Sequence, residues 1–148
     1  MEEFDDILIR KMKPEDCEAL FDLWDETGLN FKPHGRDRKE KIIVEMEGPQ
    51  ACFLVAEDKG SIIGSVLATH DGRKGWINRL AVSPRYRRKG VGERLIREAE
   101  QYFDMEDIEI TACLIEQENE PSLSLFRKAG FRLHRDIFYL SKRKSETT

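Results

Sequence analysis

Cysteine, long apolar runs and a surplus of basic charge are scarce or missing in this chain of 148 residues, and each shortage excludes something. The three cysteines, Cys17, Cys52 and Cys113, lie far apart in apolar surroundings. They form neither a disulfide framework nor a metal-ligand spacing, and read as buried free thiols of a reducing cytoplasm. The longest uncharged apolar runs, such as residues 51–56, fall far short of the roughly 20 residues that cross a bilayer, so no membrane partner is expected. Lys and Arg total 25 against 29 Asp and Glu, a net charge of −4. A dedicated nucleic-acid binder carries a basic excess, so no nucleic-acid partner is expected either. There is no repeat and no low-complexity segment. The acidic opening Met1-Glu2-Glu3 leads us to expect neither a secretory signal nor an Arg-rich transit peptide.

What is present suffices for one domain. Hydrophobic residues make up 39% and charged residues 36% of the chain, enough apolar material for a core beneath a heavily charged surface. A chain of this length buries roughly two-thirds of its unfolded surface and needs no disulfide or structural metal. Residues 1–140 read as that domain and residues 141–148 as a solvated tail. Positive charge is concentrated between Arg85 and Lys89 and in the tail at Lys142-Arg143-Lys144. A basic loop on an acidic protein suggests a small polyanionic ligand held at one spot.

The apolar spacing predicts strands over 7–12, 51–57, 61–69, 76–82, 108–115 and 131–140. It predicts a first helix entered through Pro14-Glu15-Asp16 and stopped at Gly28, with Cys17, Leu20, Phe21 and Trp24 on one face. A weaker helix follows over 36–47, then one from Val91 carrying Leu95, Ala99, Tyr102 and Phe103, then one from Asn119 to Gly130. The order β-α-α-β-β-β-α-β-α-β describes a single-domain mixed α/β protein, its sheet mostly antiparallel and flanked by helices.

The most informative stretch runs Leu80-Ala81-Val82-Ser83-Pro84-Arg85-Tyr86-Arg87-Arg88-Lys89-Gly90-Val91-Gly92: a strand, a basic turn with glycines, a helix start. Unpaired amides and the dipole at a helix N-terminus attract anions, and glycines let a phosphate approach the backbone. A plain solvated turn has the same letters. A Walker loop is absent, and a dinucleotide fingerprint fails because Leu95 stands where its third glycine belongs.

The remaining pattern, Arg87-Arg88-Lys89-Gly90-Val91-Gly92, resembles the acetyl-CoA pyrophosphate loop of the GNAT superfamily of N-acetyltransferases. A second motif is in register, with Asn119, Ser122, Leu125, Phe126, Gly130 and Phe131 at that superfamily's spacing, and nearly the whole chain follows its order. The resemblance implies acetyl-CoA as co-substrate and an amine, small molecule or peptide, as acceptor. Backbone groups of Leu80, Ala81 and Val82 would line the pantetheine arm where two strands splay. Amides from Arg87 through Arg88, Lys89, Gly90 and Val91 to Gly92 would hold the pyrophosphate, Asn119 would bond the pantetheine, and Phe126 would lie near the thioester sulfur. Asn119 also suits a plain N-cap, and Phe126 a core position.

Three departures affect the chemistry. Phe126 stands where relatives often carry a proton-donating Tyr, though a thiol of pKa about 8.5 leaves tolerably as the anion. Trp76 and Leu114 stand where relatives often carry a general base. Glu116, two residues beyond Leu114, is the nearest candidate base if the strand continues, and otherwise an exposed strand-end carboxylate. Asp22, Asp25, Glu26 and His34 occupy the region that lines the acceptor pocket in relatives. A homodimer could form through an edge near Phe138. A non-catalytic acyl-CoA-binding module and a polyanion-binding domain are the alternatives to an enzyme.

Overall fold

The computed structural model describes residues 6–146 and Thr148, so the opening Met1-Glu2-Glu3 lies outside the described residues. Its centre is a five-stranded sheet in the order β1-β2-β3-β4-β5: β1 Leu8–Lys11, β2 Ala51–Asp58, β3 Ser61–His70, β4 Lys74–Val82 and β5 Ile110–Ala112. The first four pair antiparallel, and β5 joins β4 in parallel after a helical crossover. The β2–β3 turn places Lys59 and Gly60 at φ 51° and 85°, the pair of positive angles that matches the twist of a tight hairpin. The β3–β4 turn is closed by Asp71, whose Oδ1 accepts the amides of Arg73 and Lys74.

Strand β2 is apolar at nearly every position because both its faces are covered. Cys52, Leu54 and Ala56 face one cluster, built with Val91, Leu95, Ile96, Ala99 and Phe103 of α3 (Val91–Met105) and with Phe126 of α4 (Glu120–Lys128). Phe53 and Val55 face the other, built with Leu20, Leu23 and Trp24 of α1 (Cys17–Thr27) and Ile42 of α2 (Lys39–Met46). Gly28 ends α1 at φ 74°, where the Leu29 amide reaches back to the Trp24 carbonyl at 2.9 Å. Gly75 lets the sheet close on α3: a Cβ there would stand 2.7 Å from the Phe103 ring.

Two elements differ from the sequence expectation by three residues at one end, and one is missing among the described residues. The second helix begins at Lys39 rather than 36 because Asp37 binds the Lys32 amide and keeps that stretch in turns. The strand expected over 108–115 is regular only from Ile110 to Ala112. Residues 131–140 form no strand, so the described order stops at α4. Phe131 packs edge-on against Phe126, but Ile137, Phe138, Tyr139 and Leu140 are 68–85% exposed. Apolar and aromatic letters favour a strand only when a partner strand supplies the ladder, and three-residue β5 offers this segment none.

Candidate active site

Strands β4 and β5 stay together only from Lys74↔Ile110 to Trp76↔Ala112. Beyond that, β4 runs on to Val82 while residues 113–116 leave it, which opens a notch along one edge of β4. The strand is also bulged there. Leu67 faces Asn78 but Ser65 faces Ala81, so β4 carries one extra residue, and Arg79 takes φ 56°. Ser65, fully buried, donates its hydroxyl to the Arg79 carbonyl at 2.8 Å and accepts Trp24 Nε1–H at 3.0 Å. A trans peptide directs N–H opposite to C=O, so this grip turns the Leu80 amide away from Ser65 and toward the open edge. The Ser83 amide pairs with the Ile63 carbonyl on β3 at 2.8 Å, and by alternation Val82 presents its polar groups to the open edge. Its carbonyl there accepts Arg87 Nε at 3.2 Å.

The notch leads to the basic turn. A short 3-10 turn, Pro84–Tyr86, precedes Arg88 at φ 61° and Gly90 at φ 81°, and Gly90 begins α3 without a side-chain cap. The Tyr86 hydroxyl donates to Asp58 Oδ2, tying the turn to the end of β2. Arg85, Arg87, Arg88 and Lys89 are exposed around the helix start, and a Cβ at Gly90 would meet nothing within 4 Å. At Gly92 a Cβ would stand 2.7 Å from Leu125, so this glycine lets α4 approach α3. Open helix amides, clear space at Gly90 and surrounding cations fit a bound diphosphate.

The other expected residues are dispersed. Asn119 is exposed and caps α4, its Oδ1 accepting the Ser122 amide at 3.3 Å. Phe126 is buried at 4% exposure in the α3-side core. Glu116 is exposed beyond the end of β5, where its carbonyl accepts the Asn119 amide, so the continued strand that would have aligned it with Leu114 is not formed. Trp76 is half-buried under Lys74 Nζ, 4.8 Å from its ring, and Leu114 is exposed. Asp22 and Glu26 line an open hollow with Glu15 and the β2–β3 turn, on the α1 side and not in the notch; neither Asp25 nor His34 lines it. His70 accepts the Gly72 amide on Nδ1 and faces Glu106 through Nε2 at 3.1 Å.

Cys113, the first residue past β5, has its thiol pushed up to about 11 by burial, and burial raises Cys17 and Cys52 as well. All three are protonated at neutral pH and are poor nucleophiles. Among the described residues, no group of His, Cys, Asp and Glu is placed to hold a metal ion, and no helix is long and apolar enough to cross a membrane.

The sequence reading missed the neighbours of the bulge. Arg79 donates to the Asn30 carbonyl and, at 2.7 Å, to Asp37 Oδ2, while its guanidinium lies 5.2 Å from the Trp24 ring centroid. A serine inside the apolar run of β3 was the local signal for this network, but nothing local names Asp37 as the partner of Arg79.

A strand notch that opens onto a glycine-bearing helix start invites comparison with known proteins. The family model described as "Acetyltransferase (GNAT) family" matches residues 17–131. The chain belongs to the GNAT acetyltransferase family. Its members take acetyl-CoA as co-substrate, which makes this GNAT protein an acyltransferase. Among solved structures it resembles the PaiA N-acetyltransferase from Thermoplasma acidophilum in complex with coenzyme A. That pair shares 25% identity and a TM-score of 0.77, over 86% of this chain and 91% of that one. The fold is shared with AAC(6')-Iy in complex with a CoA-linked bisubstrate analogue, at 19% identity, TM-score 0.76 and coverage of 93% and 98%. It is shared too with an aminoglycoside acetyltransferase from an uncultured soil metagenomic sample in complex with sisomicin. There the identity is 18%, the TM-score 0.77 and the coverage 96% and 100%.

Proposed function

We propose that this GNAT enzyme transfers the acetyl group of acetyl-CoA to a primary amine by direct attack in a ternary complex. The observation that carries the reading is the β4–β5 notch, opening at the bulge and running to the uncapped start of α3. In this reading Leu80 and Val82 pair with the pantetheine arm through their backbones, and the Leu80 amide stabilises the oxyanion. Amides from Arg87 to Gly92 bind the pyrophosphate, with Arg88 and Lys89 adding charge, and Asn119 bonds the pantetheine while capping α4. The amine nitrogen forms a bond to the thioester carbonyl carbon, the carbon–sulfur bond breaks, and the thiolate leaves without a phenol, since position 126 holds a buried Phe. The protonated thiols support attack by the amine itself over a cysteine relay.

The base in this reading is Glu116, which takes the amine proton through a water because its exposed carboxylate lies past the end of β5. An alkyl amine of pKa about 10.4 is mostly protonated at neutral pH, so removing basicity should matter most there. Glu116→Gln should lower kcat/KM by roughly 10²- to 10⁴-fold at neutral pH, with a deficit that shrinks as pH rises. Wild-type activity across that range would remove the base assignment.

The deciding experiment is a thiol-release screen with acetyl-CoA over aminoglycosides, polyamines, amino acids and peptide N-termini. The acetylneamine conjugate bound to AAC(6')-Iy supports placing aminoglycosides first. Release dependent on an added amine is the expected result; none across the panel would overturn amine transfer. Free cysteines and the need for acetyl-CoA support a cytoplasmic location. The exposed apolar residues Ile137, Phe138, Tyr139 and Leu140 support a homodimer through this segment, which light scattering of wild type against Phe138→Glu would test.

A further inference from the structure

Arg79 is held from both ends. At φ 56° it occupies a left-handed conformation that glycine adopts more cheaply, and such a residue persists where its surroundings over-determine it. On the strand side, Ser65 holds its carbonyl at 2.8 Å and is itself held by the Trp24 indole at 3.0 Å. On the other side, its guanidinium spans the Asn30 carbonyl and Asp37 Oδ2 and lies over the same Trp24 ring. Asp37 is only 9% exposed, and its Oδ2 also takes the Lys32 amide at 2.8 Å, so the carboxylate that grips Arg79 organises the 29–38 loop as well. Phe31 fastens the same loop to α1, its ring centroid 5.5 Å from those of Phe21 and Trp24.

We propose that Arg79 is a positioning residue that couples the 29–38 loop to the open edge of β4, so that loop and bulge take up their geometry together. The proposal rests on reading that edge as the seat of the acetyl-CoA arm. The Arg79–Leu80 peptide plane is the link. Its carbonyl is fixed by Ser65 and its N–H points into the notch, while the side chain that leaves the neighbouring Cα is pulled by the loop. A displacement of Asp37 therefore reorients the amide that faces the thioester. The planar guanidinium suits this task because its rigid fork holds two acceptors in fixed directions while it lies over an indole, a geometry that a flexible lysine does not fix.

Coupling between two places is reciprocal, and that makes the proposal testable in both directions. Asp37→Asn makes its change on the loop side, at the carboxylate that holds Arg79. It should speed hydrogen exchange of the Trp24 indole N–H, which reports the Ser65 grip, by about tenfold, with amides of β2 staying within twofold of wild type. Ser65→Ala makes its change on the strand side, at the hydroxyl that holds the Arg79 carbonyl. It should speed trypsin cleavage after Arg36 and Arg38 by about tenfold. Arg79→Lys keeps the charge but loses the fork, should move both readouts in the same directions, and serves where Ser65→Ala does not fold. If Asp37→Asn leaves the indole exchange unchanged, or if neither Ser65→Ala nor Arg79→Lys loosens the loop, the coupling is refuted. The melting temperature of the wild type with and without acetyl-CoA is measured alongside. An absent shift there defeats the reading of the notch, whatever the two coupling readouts give.

Discussion

The two loops beside β4 are built by opposite means. The turn over 83–90 faces the notch with backbone: Arg88 and Gly90 at positive φ and a helix start without a side-chain cap, with exposed basic side chains around it. It is tied to the sheet by the Ser83 amide on Ile63, the Tyr86 hydroxyl on Asp58 and Arg87 Nε on the Val82 carbonyl, among others. The loop over 29–38 is fastened by side chains instead, with Asp37 buried against Arg79 and Phe31 stacked on Phe21. A backbone site suits a ligand part that never changes, such as a diphosphate. A loop held by side chains changes only together with its anchors, and here those anchors reach the bulge of β4.

The largest expected effect breaks the backbone-built loop. Gly90→Glu sets a carboxylate where the pyrophosphate is proposed to sit and forces a side chain onto φ 81°. The rise in melting temperature produced by acetyl-CoA should vanish. A folded Gly90→Glu protein with the wild-type shift would remove the loop from the cofactor site.

A smaller effect sharpens the contrast by loosening a side-chain tie of that loop. Tyr86→Phe deletes the hydroxyl that donates to Asp58, and net hydrogen bonds to charged groups contribute about 1.5–3 kcal/mol. Affinity for acetyl-CoA, read by calorimetry, should fall about three- to tenfold while kcat at saturating cofactor stays near wild type. A matching fall in kcat with unchanged affinity would mean that Tyr86 serves the chemistry rather than the loop.

The smallest effect lies on the far side of the hairpin and is a control for both loops. The Arg10 guanidinium donates to both oxygens of Asp16, and mainly through this holds its carboxyl below the ordinary value of 3.8. A depressed folded pKa adds stability that is present above the unfolded value and is lost as pH falls through the folded one. Asp16→Asn should therefore lower the melting temperature near neutrality and flatten its decline below about pH 4. Acetyl-CoA binding should not change. A full wild-type acid decline in Asp16→Asn would assign that decline to other carboxylates.

The same division explains how much was legible in the letters. Gly90 and Gly92 two residues apart, a basic turn before them and apolar periodicity after them are local, and they gave the turn after β4 and the start of α3. The Arg79 side chain meets partners 42 and 49 residues earlier in the chain, and no spacing rule joins those positions. The strand expected over 131–140 failed for a related reason. Its alternation is local, but a strand is completed by a neighbour, and the paired length of β5 was not legible. Glu116 shared that dependence, because its alignment with Leu114 required β5 to continue.

The parallel entry of β5 has a kinetic meaning. Strands β2, β3 and β4 are joined by tight turns and can zip in sequence, whereas β5 must wait for the α3 crossover to lie against the sheet. Contacts distant along the chain form late because loop closure precedes their reward. By this argument the notch forms after the β2–β3–β4 meander. A ligand resting on both its walls, as proposed, should hold together a late-forming part and slow unfolding while leaving the rate of folding nearly untouched.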